Sequence, residues 1–272
     1  MKRICNYIDF KIESSKIYIF LIILIIYIFA SMLFLLKTTS SRNFSYNIYD
    51  YIIEIFSYLS LFYTIGILFV VMIYKIFDKG NFYNYLSVRF NSSMEIYNAK
   101  ILTSLIFSVG TVVFIVVICL LTGSFMRFSN TWSQYSAYVM GSKLNQSYVE
   151  PAVNIVRKNL SPLSYTLILC GLSSLYLFFI SIVFNICNLI FKQRALSFIS
   201  VISINILNMV VDSGTLSKFS FTNNIYILNA SVNEVNNGTY IVSRFLYWIA
   251  LIVIMYIIGA VLTKKRECDY GK

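Results

Sequence analysis

Six apolar runs decide what this chain can fold into. They cover 17–36, 52–74, 101–122, 164–190, 195–211 and 243–262. A helix needs about 20 apolar residues to cross the hydrocarbon layer of a bilayer, and it satisfies its own backbone hydrogen bonds where no water can. The run 195–211 is the shortest, and a tilted or re-entrant segment is the other reading of it. The composition agrees with a chain built for lipid. Of the 272 residues, 58% are hydrophobic and 12% charged, against about 45–50% and about 25% in soluble domains. No internal repeat and no separate soluble domain stands out. The expected fold is all-α: one transmembrane domain over 1–272 with six spanning helices.

The basic residues set the expected orientation. Fourteen of the 22 Lys and Arg fall at 2–16, 75–100, 192–194 and 264–272, and eight fall on the other side. Both termini and the stretch 75–100 are therefore expected in the cytoplasm, with outer loops at 123–163 and 212–242. A short surface helix is expected after Pro151. The net charge of +11 then reads as cytoplasmic loops held against anionic membrane lipid, with no nucleic acid as partner. The localisation expected is the plasma membrane.

Two polar segments carry an apolar stripe. Residues 2–16 place Ile4, Tyr7, Ile8 and Ile12 on one helical face, which reads as an interfacial helix before the first span. Residues 75–100, KIFDKGNFYNYLSVRFNSSMEIYNAK, lie between spans two and three. Phe82, Tyr83, Tyr85, Leu86 and Phe90 share a face there, with Asn84, Ser87 and Asn91 opposite, as in an amphipathic helix of about three turns. Such a stripe needs something to dock on. The lipid interface and a groove on a partner protein both qualify.

The missing motifs narrow the function. The chain has no histidine, so imidazole metal sites and histidine bases are excluded. It has no G-x-x-x-x-G-K-[ST] loop, no G-x-S-x-G elbow and no H-E-x-x-H. No catalytic residue, metal or cofactor is expected in this chain itself. Cys5, Cys119, Cys170, Cys187 and Cys268 form no CxxC pair and are expected to be free thiols. Charges keep to the ends of the runs: Glu54 near the start of span two, Asp212 closing span five, Arg244 opening span six. Asp212 and Arg244 read as solvated interfacial charges or as a pair. Asn185, Asn188, Asn205 and Asn208 lie in the fourth and fifth runs. They bond between helices or line a polar substrate path.

The arrangement resembles the six-span permeases of ATP-binding-cassette exporters, the type-2 class. The shared features are a helix before span one, a basic and aromatic segment between spans two and three, a long outer loop after span three, a tight turn (FKQR, 191–194) between spans four and five, and a basic tail. YLSVRFNSSMEIYNAK is similar to an Arg-x-x-Ser…Lys pattern of small bacterial members, with Arg89, Ser92 and Lys100 at the matching positions. TKKRECDYG is similar to their tail, with Cys268 interrupting it. The resemblance covers the whole chain and implies that 75–100 is a coupling segment. Phe82, Tyr85, Leu86, Arg89 and Phe90 would then dock on a separate ATPase subunit that holds ATP and Mg. It further implies a second permease copy or paralogue, and a short re-entrant helix within SKFSFTNNIYILNA (217–230). The substrate expected is amphipathic, such as an antimicrobial peptide. The alternative is a membrane immunity or sensor protein that binds a toxic peptide without transporting it.

Overall fold

The computed structural model describes residues 17–76, 90, 92–136, 150–191, 193–212, 217–227 and 239–270. The described residues are helical, with no strand among them. Helix α1 is Ile17–Arg42; α2 is Ile48–Ile55; a π-helical stretch, Ser60–Ile65, leads into α3, Gly66–Ile76. Then come α4 (Ser93–Thr122), α5 (Glu150–Asn159), α6 (Pro162–Phe191) and α7 (Arg194–Asp212). A 3-10 turn (Ser217–Phe219) precedes α8 (Phe221–Ile225), and α9 is Tyr240–Tyr270.

Helices α1, α4, α6 and the Tyr240–Lys265 part of α9 are each long and apolar enough to cross a membrane. The α2–α3 pair also qualifies when taken together, bent by 53° at its break. In α7 the apolar stretch is Arg194–Asn208, about 23 Å at 1.5 Å per residue. That is short of the roughly 30 Å hydrocarbon layer.

Helix α6 is the centre of the bundle. It packs most extensively on α9, then on α7 and α4, and also on α2, α3 and α8. In its most apolar window 67% of residues are buried, against 11% in α9 and 28% in both α1 and α4. Helix α1 shows what the outer helices do. Phe20, Leu24, Ile28, Met32 and Leu35 form one buried stripe, while Ile22, Ile26, Phe29 and Leu33 are exposed. Water would penalise those exposed faces on α1, α4 and α9 together, at about 25 cal/mol per Å²; lipid tails do not. The chain is a helical membrane protein.

Several helices extend past the expected runs. The largest difference at a helix start is in α4. Its start at Ser93 means that the end of the expected coupling segment already belongs to the third helix. The reason is a cap that hydropathy does not register: the Ser92 hydroxyl accepts from the Glu95 N–H at 3.2 Å. Ser-x-x-Glu is a helix-start signature. Span two begins at Ile48 for a similar reason. Asn47 Oδ1 accepts from Asp50 N–H at 3.0 Å and Asp50 Oδ2 accepts from Asn47 N–H at 2.8 Å, a reciprocal capping box. Helix α5 starts at Glu150, with Pro151 in its first turn, where a missing N–H is harmless.

The bundle has two ends. At one, called the loop face here, α1 and α4 end and α6 and α9 begin. Ile48 N–H donates to Arg127 O at 3.1 Å. Asn47 Nδ2 donates to Thr131 O at 2.9 Å, and Trp132 Nε1 to Leu160 O at 2.9 Å. These bonds lash the segment after α4 to α2 and to the linker before α6. At the other end Tyr97 and Asn98 on α4 bond to α9, through Tyr97 Oη to Tyr256 O at 3.2 Å and Tyr256 Oη to Asn98 Oδ1 at 2.9 Å.

Candidate functional site: a polar and aromatic cluster at a broken helix

The break in span two organises the interior near the loop face. Between Ile55 and Ser60 the helix turns, and the stretch that follows is π-helical. Wide turns of this kind free backbone carbonyls, and π-helical turns recur at functional positions. Within a membrane such carbonyls must find donors in the protein, and here they do. Tyr226 Oη donates to Phe56 O at 2.7 Å. The Ser60 hydroxyl donates to Ile55 O and accepts from Tyr27 Oη at 2.6 Å. Asn205 Nδ2 reaches Phe62 O at 3.5 Å, while its Oδ1 accepts from Tyr176 Oη at 3.0 Å.

The donor Tyr226 comes from a segment that folds back into the bundle. In Ser217–Ile227, Ser220, Thr222, Asn224, Ile225 and Ile227 are buried. Two asparagine bonds hold it to α7: Asn208 Nδ2 donates to Thr222 Oγ1 at 3.0 Å, and Asn208 Oδ1 accepts from Phe221 N–H at 2.6 Å. Helix α9 holds its other side. Trp248 Nε1 donates to Asn224 O at 3.0 Å, and Arg244 Nε donates to Asn223 O at 2.8 Å. Arg244 is only 6% exposed, so the expectation of a solvated charge there is corrected. Its guanidinium lies inside because carbonyls of the folded-back segment and of its own helix (Tyr240 O, 3.1 Å) replace water as acceptors. The side chain of Asp212 lies outside the described residues.

Rings fill the space between these bonds. Trp248 stands 5.8 Å from Tyr176, 5.7 Å from Phe179 and 5.5 Å from Phe221, centroid to centroid. Phe62 lies 4.8 Å from Tyr176. These separations suit tilted and edge-to-face aromatic packing. The Tyr63 hydroxyl is buried without a hydrogen-bond partner among the described residues, and its ring lies 6.1 Å from that of Tyr58, centroid to centroid. An unpaired buried hydroxyl costs about 1–3 kcal/mol.

Only part of the expected polar path meets at this cluster. Asn205 and Asn208 belong to it. Asn185 lies nine residues along α6 from Tyr176, about 14 Å away, and bonds to Ser181 O at 3.0 Å and Ser104 Oγ at 3.5 Å. Asn188 is half-buried one turn further on. Of the expected docking residues, Phe82, Tyr85, Leu86 and Arg89 lie outside the described residues, as does the amphipathic stretch 2–16. Phe90 is buried just ahead of the α4 cap. Tyr176, Tyr226, Arg244 and Trp248 were not singled out as ligands or bonds of the site. Polar-tipped aromatics inside apolar runs were the available signal for Tyr176 and Trp248.

The cluster is rich in hydroxyls, amides and aromatic rings. Among the described residues no group of three or more Cys, Asp or Glu could hold a metal. The hydroxyls, amides and ring faces offer hydrogen bonds and apolar area.

No model of a known protein family matches the chain, and no solved structure matches it. It is 28% identical over 243 residues to an uncharacterized protein of Halalkalibacterium halodurans. The alignment takes in 88% of this chain and 85% of that protein. The likeness therefore runs through most of each chain, and it carries no activity with it.

Proposed function

We propose that this chain is the membrane-spanning permease subunit of an ATP-binding-cassette exporter. In this reading α1, α2–α3, α4, α6, α7 and α9 make six crossings of the plasma membrane, both termini are cytoplasmic, and the loop face is extracellular. One observation carries the proposal. Ser217–Ile227, between the last two helices, folds back into the bundle and donates to the broken backbone of span two. A segment clamped between α7, α9 and a helix break is built to move when those helices move, because its bonds are shared among all three. The aromatic and amide cluster around Tyr176 and Trp248 suits an amphipathic substrate, such as an antimicrobial peptide, better than an ion. Two such chains, identical or paralogous, would line the path, and Asn185, Asn188, Asn205 and Asn208 are candidates for its polar lining. The work comes from separate ATPase subunits that hold ATP and Mg and that dock on Phe82, Tyr85, Leu86, Arg89 and Phe90.

Affinity purification in mild detergent tests this directly. A nucleotide-binding subunit and a second permease chain should co-elute with the tagged protein, and ATP hydrolysis in the complex should respond to substrate. A chain that elutes without an ATPase, yet still protects cells from a membrane-active peptide, would replace this reading with an immunity or sensor protein.

A further inference from the structure

We infer that the loop face carries a binding site for the phosphate head group of an anionic lipid, in the cleft between the end of α1 and the segment after α4. The inference is independent of any transport role; it needs only the membrane.

The cleft has a volume of about 580 Å³. Its polar wall is Thr39, Ser40, Asn43, Ser45 and Gln134, and Arg127, an exposed residue, is among those that line the cleft. Local backbone geometry makes the floor. Asn43 takes a left-handed conformation (φ 53°), which lets Phe44 N–H reach back to Thr39 O at 3.1 Å and close α1. Gln134 Oε1 accepts from Ser45 N–H at 3.2 Å, which ties the two walls together.

Charge and height select the ligand. The stretches 37–46 and 123–136, which form both walls, contain Lys37, Arg42 and Arg127 and no Asp or Glu. The carbonyl end of α1 contributes the equivalent of roughly half a negative charge, which the three cations outweigh. A guanidinium offers paired N–H donors that match a phosphate. The cleft also sits where the apolar run of α1 ends. Below it Leu33 and Phe34 are exposed along α1, and Phe125 and Phe128 are exposed beside it. The other wall is apolar, from Phe44, Phe125 and Met126. A free phosphate would use the cations and leave these rings idle. A lipid uses both, with its head group in the cleft and its chains down the α1 face.

The test uses the full-length protein, delipidated in detergent and followed by native mass spectrometry. The probes are phosphatidylglycerol, phosphatidylcholine and inorganic phosphate. Phosphatidylglycerol should be retained in preference to phosphatidylcholine. Arg127→Gln should lower its retention about tenfold, the equivalent of ~1.4 kcal/mol, while Arg127→Lys keeps most of it. Lys158→Gln removes an exposed charge elsewhere on the loop face and should change nothing. Ser40→Trp, which fills the cleft and keeps the guanidinium, should cost as much as Arg127→Gln and guards against a folding artefact in either. Equal retention of both lipids, or phosphatidylglycerol retention untouched by both cleft variants, would overturn the site. Inorganic phosphate bound as tightly as the lipid would overturn the lipid assignment.

Discussion

Gly259 lets α9 lie against α4 at the end of the bundle opposite the loop face. A Cβ there would stand 2.1 Å from Tyr97 Oη and 2.7 Å from its ring, and Tyr97 spends that hydroxyl on Tyr256 O. Gly259→Val should therefore push the ring out of its place and break the bond. Overpacking of this kind typically costs about 1–3 kcal/mol. The expected outcome is a lower unfolding midpoint in detergent, with Tyr97→Ala recovering part of the loss in the double variant. Additive losses would mean that the two residues do not share this contact. Arg244 and Asn208 work at the same scale on the loop face. Each is a polar side chain that a lipid environment would reject, kept because backbone groups of one short segment complete its bonds.

At the scale of elements, the segment before α4 sets the next expectation. A lipid interface and a protein groove would both accept Phe82, Leu86 and Phe90, but they respond differently to a charge. If the stripe only rests on lipid, Leu86→Asp loses some apolar contact while the spanning helices hold the protein in place. If it docks in a groove, Leu86 is a buried anchor, where truncation costs about 2 kcal/mol or more. That is roughly a thirtyfold weaker complex at 1.4 kcal/mol per tenfold. An unpaired buried carboxylate is worse. Leu86→Asp is therefore expected to insert and fold normally but to lose the ATPase on affinity purification. Retention of the partner together with unchanged export would return the stripe to the lipid interface. The capping Ser92 and buried Phe90 stand at the junction of this segment with α4, so displacement of the stripe has a direct route into the third helix.

For the whole molecule the question is which side of the membrane each end occupies. The proposed six-crossing arrangement has both termini in the cytoplasm, the side that the distribution of Lys and Arg leads one to expect for them. A reporter fused after Lys272 is expected to be active in the cytoplasm. A cysteine introduced at Ser147, in a variant without the five native cysteines, is expected to react with an impermeant reagent on intact cells. Labelling of both positions from one side would leave an even number of crossings between them and remove one of α6, α7 and α9 as a span. Helix α7 is the natural suspect, because its apolar stretch, Arg194–Asn208, is about 23 Å long at 1.5 Å per residue.

Hydropathy by itself determined that the chain is helical and membrane-embedded, because a run of apolar residues can avoid the cost of an unpaired backbone in lipid by coiling on itself. It also located the apolar middle of each long helix, since the exposed outer faces of α1, α4 and α9 have no other use for their Ile, Leu and Phe. It missed the helix starts at Asn47 and Ser92, where side-chain caps rather than apolar content decide the boundary. It treated Arg244 as a surface charge and Tyr226 as a loop residue. Only the tertiary structure brings Ser217–Ile227 into the bundle, joins it to the freed carbonyl of Phe56, and separates Asn205 from Asn185 by their positions along helices that pack at different heights. The reason is physical. A local sequence pattern reports what a segment avoids, whereas a buried hydrogen bond needs a partner that the chain supplies from far away: 170 residues separate Tyr226 from Phe56.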